Sequence, residues 1–170
     1  EATERALSKI AESMTDADRV TLIGFSEQSR LLAQDVTARE LQIFIASGKL
    51  LPPSGSANFA AGVEAAARAA RAPSSGRKAR IVFLTASEKN FDQMAPEVAK
   101  RTLTDSSGGI TGWQMVCLAE DDARGSAWAE SAGGEFTMAD STASIQRVLV
   151  EALTGRSNTV AKDVSVKLSF

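Results

Sequence analysis

The chain has no histidine, no tyrosine, a single cysteine and only four prolines, and aromatic residues make up 5 % of it. Each shortage removes some chemistry. Without histidine there can be no Ser-His-Asp triad, no Cys-His pair and no histidine-ligated metal site. With Cys117 alone, neither an intrachain disulfide nor a multi-cysteine zinc site can form. A lone thiol is tolerated on either side of a membrane, so it fixes no compartment. No apolar run approaches the roughly 18 residues of a membrane span. A net charge of −2 offers no basic field to nucleic acid or anionic lipid. Neither glycine-rich phosphate-loop pattern occurs, nor does G-x-S-x-G, so nucleotide-dependent and hydrolase readings have no support. Enzymes built on carboxylates, lysine or a Ser-Lys pair are what the composition leaves open.

The chain does have the length and apolar content for a compact domain. With 170 residues it can bury roughly 70 % of the surface its unfolded form exposes. A hydrophobic fraction of 44 % beside 24 % charged residues belongs to a globular protein. Two periods alternate along it. Leu7, Ile10, Ala11 and Met14 form a helical stripe closed by the turn Thr15-Asp16-Ala17-Asp18. Val20 to Phe25 is a short apolar run, as a buried parallel strand would be, and Ser29 to Val36 is a second extended piece. Thr37 and Glu40 make a capping box for a helix with Leu41, Phe44 and Ile45 on its apolar face, stopping at Gly48. Asn58 is placed to cap an alanine-rich helix that runs to Arg71.

Ile81 to Leu84 is the clearest buried strand, followed by a helix over Gln93 to Leu103 and a strand over Trp113 to Ala119 that contains Cys117. A short helix around Trp128 ends at Gly133-Gly134, Phe136 marks a short strand, and Ile145 to Leu153 is a helix stopped by Gly155. Helices alternating with short apolar strands predict an α/β fold, a Rossmann-like three-layer sandwich with a mostly parallel central sheet. The tail changes period. Val164, Val166, Leu168 and Phe170 alternate with Ser165, Lys167 and Ser169, the pattern of a strand with one wet face. Residues 160–170 are thus available to pair with another sheet.

Four stretches resemble the von Willebrand factor type A domain, in the bacterial branch whose A domain runs into a C-terminal extension. They are Asp18-Arg19-Val20 opening a strand that ends at Gly24-Phe25, Gly55-Ser56-Ala57-Asn58 with Ala61-Gly62, Ile81 to Ser87, and Thr159 to Val164. The resemblance implies a von Willebrand A-like domain over residues 1–155 and the start of a C-terminal extension over 156–170. It also implies that the first strand, central in the family's sheet, is lacking here, which leaves a gap between the Val20 and Ile81 strands. Residues before Glu1, another chain, or direct pairing of those two strands would have to close it. The expectation is that the chain is part of a longer protein.

Members of this family hold Mg²⁺ at the carboxyl ends of the strands, through an Asp-x-Ser-x-Ser stretch, a threonine and a later aspartate. Here the threonine position matches Ala57, the aspartate position matches Ala86, and the Asp-x-Ser-x-Ser stretch is absent. A methyl group can neither ligate magnesium nor orient its water. No metal and no cofactor is expected.

The reading that follows is a non-enzymatic protein–protein interaction module, a scaffold or accessory subunit of a larger complex, with other protein subunits as partners and no nucleic acid. The alternative is a Mg²⁺-dependent adhesion or sensing domain whose first-strand ligands precede Glu1. A carboxylate enzyme is a third class, open until raised carboxyl pKa values in a cleft are sought. Candidate partner-binding residues are Ser54, Ser56 and Asn58 at the loop-to-helix junction, and Glu88, Asn90 and Phe91 after the Ile81 strand. The plain alternative for the first three is a turn with an asparagine cap, and for the others a solvated loop in which Phe91 is the possible anchor. Glu120-Asp121-Asp122 lacks calcium-loop spacing and reads as a solvated loop. Trp113 and Trp128 read as packing residues and Cys117 as a buried thiol. The bacterial branch implies an extracytoplasmic, periplasmic-side location with docking on a membrane complex.

Overall fold

The structure is a computed structural model that describes residues 2–50, 58–71, 79–85, 93–104, 110–117 and 123–154. Among these, six helices and five strands follow one another. They are α1 (Ala2–Ser13), β1 (Val20–Phe25), β2 (Ser29–Val36), α2 (Ala38–Ala46), α3 (Phe59–Arg71), β3 (Ala79–Thr85), α4 (Pro96–Thr104), β4 (Ile110–Cys117), α5 (Ala123–Ser131), β5 (Glu135–Met138) and α6 (Thr142–Thr154). The tail strand expected over 160–170, and the acidic run at Glu120, lie outside the described residues.

Local chemistry accounts for the helix ends. The Thr37 hydroxyl accepts from the Glu40 amide at 3.3 Å while the Glu40 carboxylate accepts from the Thr37 amide at 2.8 Å, so the capping box closes in both directions. Past the other end of α2, Gly48 takes φ +65°, which a residue without Cβ adopts cheaply. α4 begins at Pro96, three residues later than its periodicity suggests. Proline suits the first helical position, where no amide partner is needed, and Gln93 and Met94 are bonded to other elements instead.

The expected parallel sheet is present as β3-β4-β5. Both ladders are parallel, with Phe83 opposite Met115 and Met115 opposite Phe136. Val20–Phe25 is not the buried parallel strand its apolar run suggests: β1 and β2 form a separate antiparallel pair, because the connection Ser26–Gln28 is too short for a crossover and folds the chain straight back, and none of the six β1 residues is fully buried. Its register slips on both sides of Leu22, and Asp35 adopts φ +52° with its amide on the Thr21 hydroxyl. That irregularity bends the outer strand near its end, a device that discourages further pairing there.

Two apolar clusters cover the strands. One gathers Phe59, Val63 and Ala67 of α3 with Ile81, Phe83, Trp113, Met115 and Trp128. The other gathers Ala6, Leu7, Ile10 and Ala11 of α1 with Leu41, Val116, Ile145, Val148 and Leu149. The strands therefore form a middle layer with helices on either side, as expected for an α/β sandwich. Trp113, Trp128 and Cys117 are all buried, as their residue types and neighbours suggest.

Candidate partner-binding face at the carboxyl ends of the strands

In an open α/β layer the loops after the strands gather at the carboxyl end, which is where such folds place ligands. The start of α3 lies here, and three elements hold it. The Asn58 side-chain Oδ1 accepts from the Ala61 amide at 3.0 Å, so Asn58 caps the helix as its position in the sequence suggests. The Asn58 amide donates to the carbonyl of Ser26, the residue just after β1, at 2.6 Å. The Phe59 amide donates to the Gln93 side-chain Oε1, from the stretch after β3, at 3.0 Å. Two of the helix's otherwise unpaired first-turn donors are thus satisfied inside the protein.

The same corner is locked by packing. Phe59, fully buried, meets Phe25 of β1 edge-on at 6.3 Å between ring centroids, Phe83 of β3 at 5.4 Å and Trp128 of α5 at 5.1 Å. The Trp128 indole N–H donates to the Met94 carbonyl at 2.8 Å, so the Gln93-Met94 turn is tied to both α3 and α5. Gly62 lets the Phe25 ring rest directly on α3, since a Cβ there would stand 3.0 Å from it.

Of the six candidate partner-binding residues, only Asn58 falls among the described residues, where it is half-buried. Ser54, Ser56, Glu88, Asn90 and Phe91, and the degenerate metal positions Ala57 and Ala86, lie outside them. Sequence reasoning missed Gln93 and Ser26. No local pattern marks either, because their role depends on loops from two different strands meeting at one helix.

The electrostatics of this end are mild. Asp140 precedes α6, and hydrogen bonds from Ser144 and Ser141 hold its carboxyl below the usual carboxylate range. Asp18 and Glu40, in other turns, are lowered in the same way by Thr15 and Thr37. Every carboxylate displaced among the described residues is displaced downward, toward the ionised form, opposite to what a general acid requires. No group of three or more histidine, cysteine, aspartate or glutamate side chains among the described residues could hold a metal ion. None of the described helices is long and apolar enough to cross a membrane.

No protein-family model matches the sequence, and no curated protein matches it. Solved structures do match. An aerotolerance-related membrane protein from Bacteroides fragilis superimposes with a TM-score of 0.64 at 20 % identity, over 91 % of this chain and 87 % of that one. A von Willebrand factor type A protein from Catenulispora acidiphila gives 0.64 at 15 % identity, over 88 % of this chain and 36 % of that one. Proximal thread matrix protein 1 from the mussel byssus, in a form with a zinc-occupied MIDAS motif, gives 0.66 at 15 % identity, over 88 % and 39 %. The chain thus spans well under half the length of these last two. Its fold is that of a von Willebrand factor A-type domain.

Proposed function

We propose that this chain is a non-enzymatic protein-interaction module that binds other protein subunits at the carboxyl end of its strands, around the start of α3, without a metal ion. The observation that carries the reading is the closed junction at Asn58. With its first-turn amides already bonded to Asn58 and Gln93, and Phe59 wedged among three aromatic rings, α3 presents a stiff platform rather than an open cradle. A rigid surface loses little entropy on association, which favours a docking role. Alanines at 57 and 86 remove the oxygen ligands that the fold's metal-binding members supply at the matching positions. The contact residues proposed are Ser54, Ser56 and Asn58, which precede α3 in the chain, and Glu88, Asn90 and Phe91, which follow β3, with Phe91 as the apolar anchor.

In this reading residues 1–155 form the interaction domain, residues 156–170 begin an extension whose strand pairs with another sheet, and the module serves as scaffold or accessory subunit of a larger complex. The likeness to an aerotolerance-related membrane protein supports an extracytoplasmic position on a membrane assembly. The mussel protein's zinc-occupied MIDAS motif favours the second reading, a metal-dependent adhesion domain.

Titration calorimetry with Mg²⁺ and Mn²⁺, run beside affinity capture from the source organism, separates the two. Heat-silent titrations with a stable co-purifying complex, lost on Phe91→Ala and Asn90→Ala, are expected. Stoichiometric metal binding, or capture that persists in both variants but is abolished by a chelator, would sink the metal-free reading.

A further inference from the structure

α3 and α4 pack side by side against the β3–β5 sheet. Their last turns are tied together, because the Arg71 guanidinium donates to the Thr102 carbonyl at 3.2 Å. On α3, Arg68 and Arg71 stand three residues apart and so share one side of the helix. On α4, Arg101 directly precedes Thr102, and Val98 stands three residues before Arg101. All three arginines are exposed. Val98 is one of four large apolar side chains exposed among the described residues, at 38 %. The two helix ends therefore gather three guanidinium groups and one apolar side chain on one stretch of surface.

A cation in the last turn of a helix complements the partial negative charge of its final carbonyls, which accounts for one such group per helix. This surface goes further. The chain as a whole is slightly acidic, with a net charge of −2, yet the last turns of α3 and α4 contain no carboxylate. Glu64 and Glu97 lie in earlier turns of the same helices. Glu64 meets Arg68 at 3.8 Å, a long pair between two exposed side chains that contributes little. Arg101 enters no ion pair among the described residues. Guanidinium forks match carboxylates two bonds at a time, and the bond to Thr102 already holds one of the three in place.

We infer that this surface docks an acidic segment of a partner protein, with carboxylates on Arg68, Arg71 and Arg101 and an apolar side chain over Val98. The chemistry is that of arginine clusters that read acidic motifs. The surface is separate from the face at the carboxyl ends of the strands. α3 has thirteen residues, so its last turn lies about 20 Å along the helix from the Asn58 cap. Two contacts of different chemistry can thus be made at once. Lipid fits less well, since arginine favours shaped pairing over diffuse attraction and Val98 alone offers no apolar face to insert into a bilayer. Residues 72–78 and 105–109, which follow the two helices, lie outside the described residues, and none of them is assigned to the surface.

The probe is a fluorescein-labelled peptide of glutamates with interspersed leucines, set against a counterpart with glutamine for every glutamate. Binding to the 170-residue chain is read by fluorescence anisotropy. The acidic peptide alone should bind, and more weakly as salt is raised. Arg71→Glu with Arg101→Glu should weaken binding roughly tenfold or more. The same reversals at Arg30 and Arg39, exposed on β2 and α2, should change it by less than about twofold, since screening confines the effect of a distant charge. Arg71→Glu also gives up the bond to Thr102, so two milder variants guard against loss of folding. Arg101→Gln should weaken binding, and Glu64→Gln, which frees Arg68, should strengthen it; a purely structural role for these residues predicts neither change. No binding of the acidic peptide, equal binding of its glutamine counterpart, or equal losses from the two pairs of reversals would overturn the proposal. So would tighter capture by vesicles of phosphatidylcholine and phosphatidylserine than by the peptide, which would assign the surface to lipid.

Discussion

Gln93 caps a helix that began thirty-four residues earlier, its Oε1 accepting the Phe59 amide at 3.0 Å. The bond links the stretch after β3 to the start of α3, which Asn58 in turn ties to the end of β1. Losing an asparagine cap costs about 0.5–2 kcal/mol. Asn58→Ala should therefore lower the urea midpoint by a corresponding amount, and Asn58→Asp or Asn58→Ser should restore most of it. Gln93→Leu should cost on the order of 1 kcal/mol, since it orphans the Phe59 amide. Because both residues hold one helix end, the double variant should lose less than the sum of the two singles. Strict additivity in a double-mutant cycle would show that they act independently.

Phe59 does for the apolar side what these bonds do for the polar side. It is fully buried and touches Phe25, Phe83 and Trp128, so it joins β1 to the β3–β5 sheet through side chains where no ladder joins them. Phe59→Ala should cost about 3–5 kcal/mol. Phe59→Leu, which keeps most of the volume, should cost clearly less. The distinctive expectation concerns cooperativity. With the wedge gone, exchange at β1 and β2 should accelerate before exchange at β4, and a single cooperative transition retained in Phe59→Ala would contradict that link.

What could be read from the sequence divides along the range of the interaction. The Thr37–Glu40 box, the Asn58 cap and the turn at Gly48 depend on residues within a few positions of one another, and each was legible. So were the two tryptophans as packing residues, since their size and apolar neighbours leave little else for them to do. The Gln93 bond and the Ser26 carbonyl under Asn58 were not. They arise only when the winding of the chain brings loops from β1 and β3 to one corner, and a glutamine before a proline-led helix carries no sign of that. The strand pairing lay between these cases. Composition marks both Val20–Phe25 and Ile81–Leu84 as strands and leaves their direct pairing open, whereas the structure places them in separate sheets.

Two glycines of similar appearance should respond in opposite ways to a methyl group. Gly134 lies against the Trp113 indole, and an added Cβ would overlap the Cε2, Cζ2 and Cδ2 carbons of the ring. The indole is buried between β3 and α5, edge-on to Phe83 and Trp128, so it has little freedom to retreat. Gly134→Ala should cost about 1–3 kcal/mol, as overpacking does, and should change the near-ultraviolet circular dichroism of the tryptophans. Gly112, on β4, has nothing within 4 Å of the same added atom. Gly112→Ala should be neutral or slightly stabilising, because alanine gives up less backbone entropy on folding. Equal effects at the two positions would mean that backbone strain, not the indole, decides the outcome at Gly134.

Acid should find the turns before it finds the core. Asp18, Glu40 and Asp140 are each held below the ordinary carboxylate range, by hydrogen bonds with Thr15, with Thr37, and with Ser144 and Ser141 respectively. A carboxyl whose folded pKa lies below its unfolded value adds stability that is fully present above the unfolded value, about 3.9 for aspartate and 4.3 for glutamate. That contribution is lost as the pH falls through the lower, folded value. Stability measured by chemical denaturation should therefore be flat from neutrality to about pH 5 with respect to these three groups, and decline below about pH 4. Asp18→Asn, Glu40→Gln and Asp140→Asn keep an oxygen acceptor but cannot titrate. The combined variant should start from lower stability at pH 7 and show a shallower acid decline, approaching the parent protein near pH 2 to 3. If parent and variant instead decline in parallel, the acid sensitivity belongs to other carboxylates, and the hydrogen bonds at these turns do not favour the ionised form.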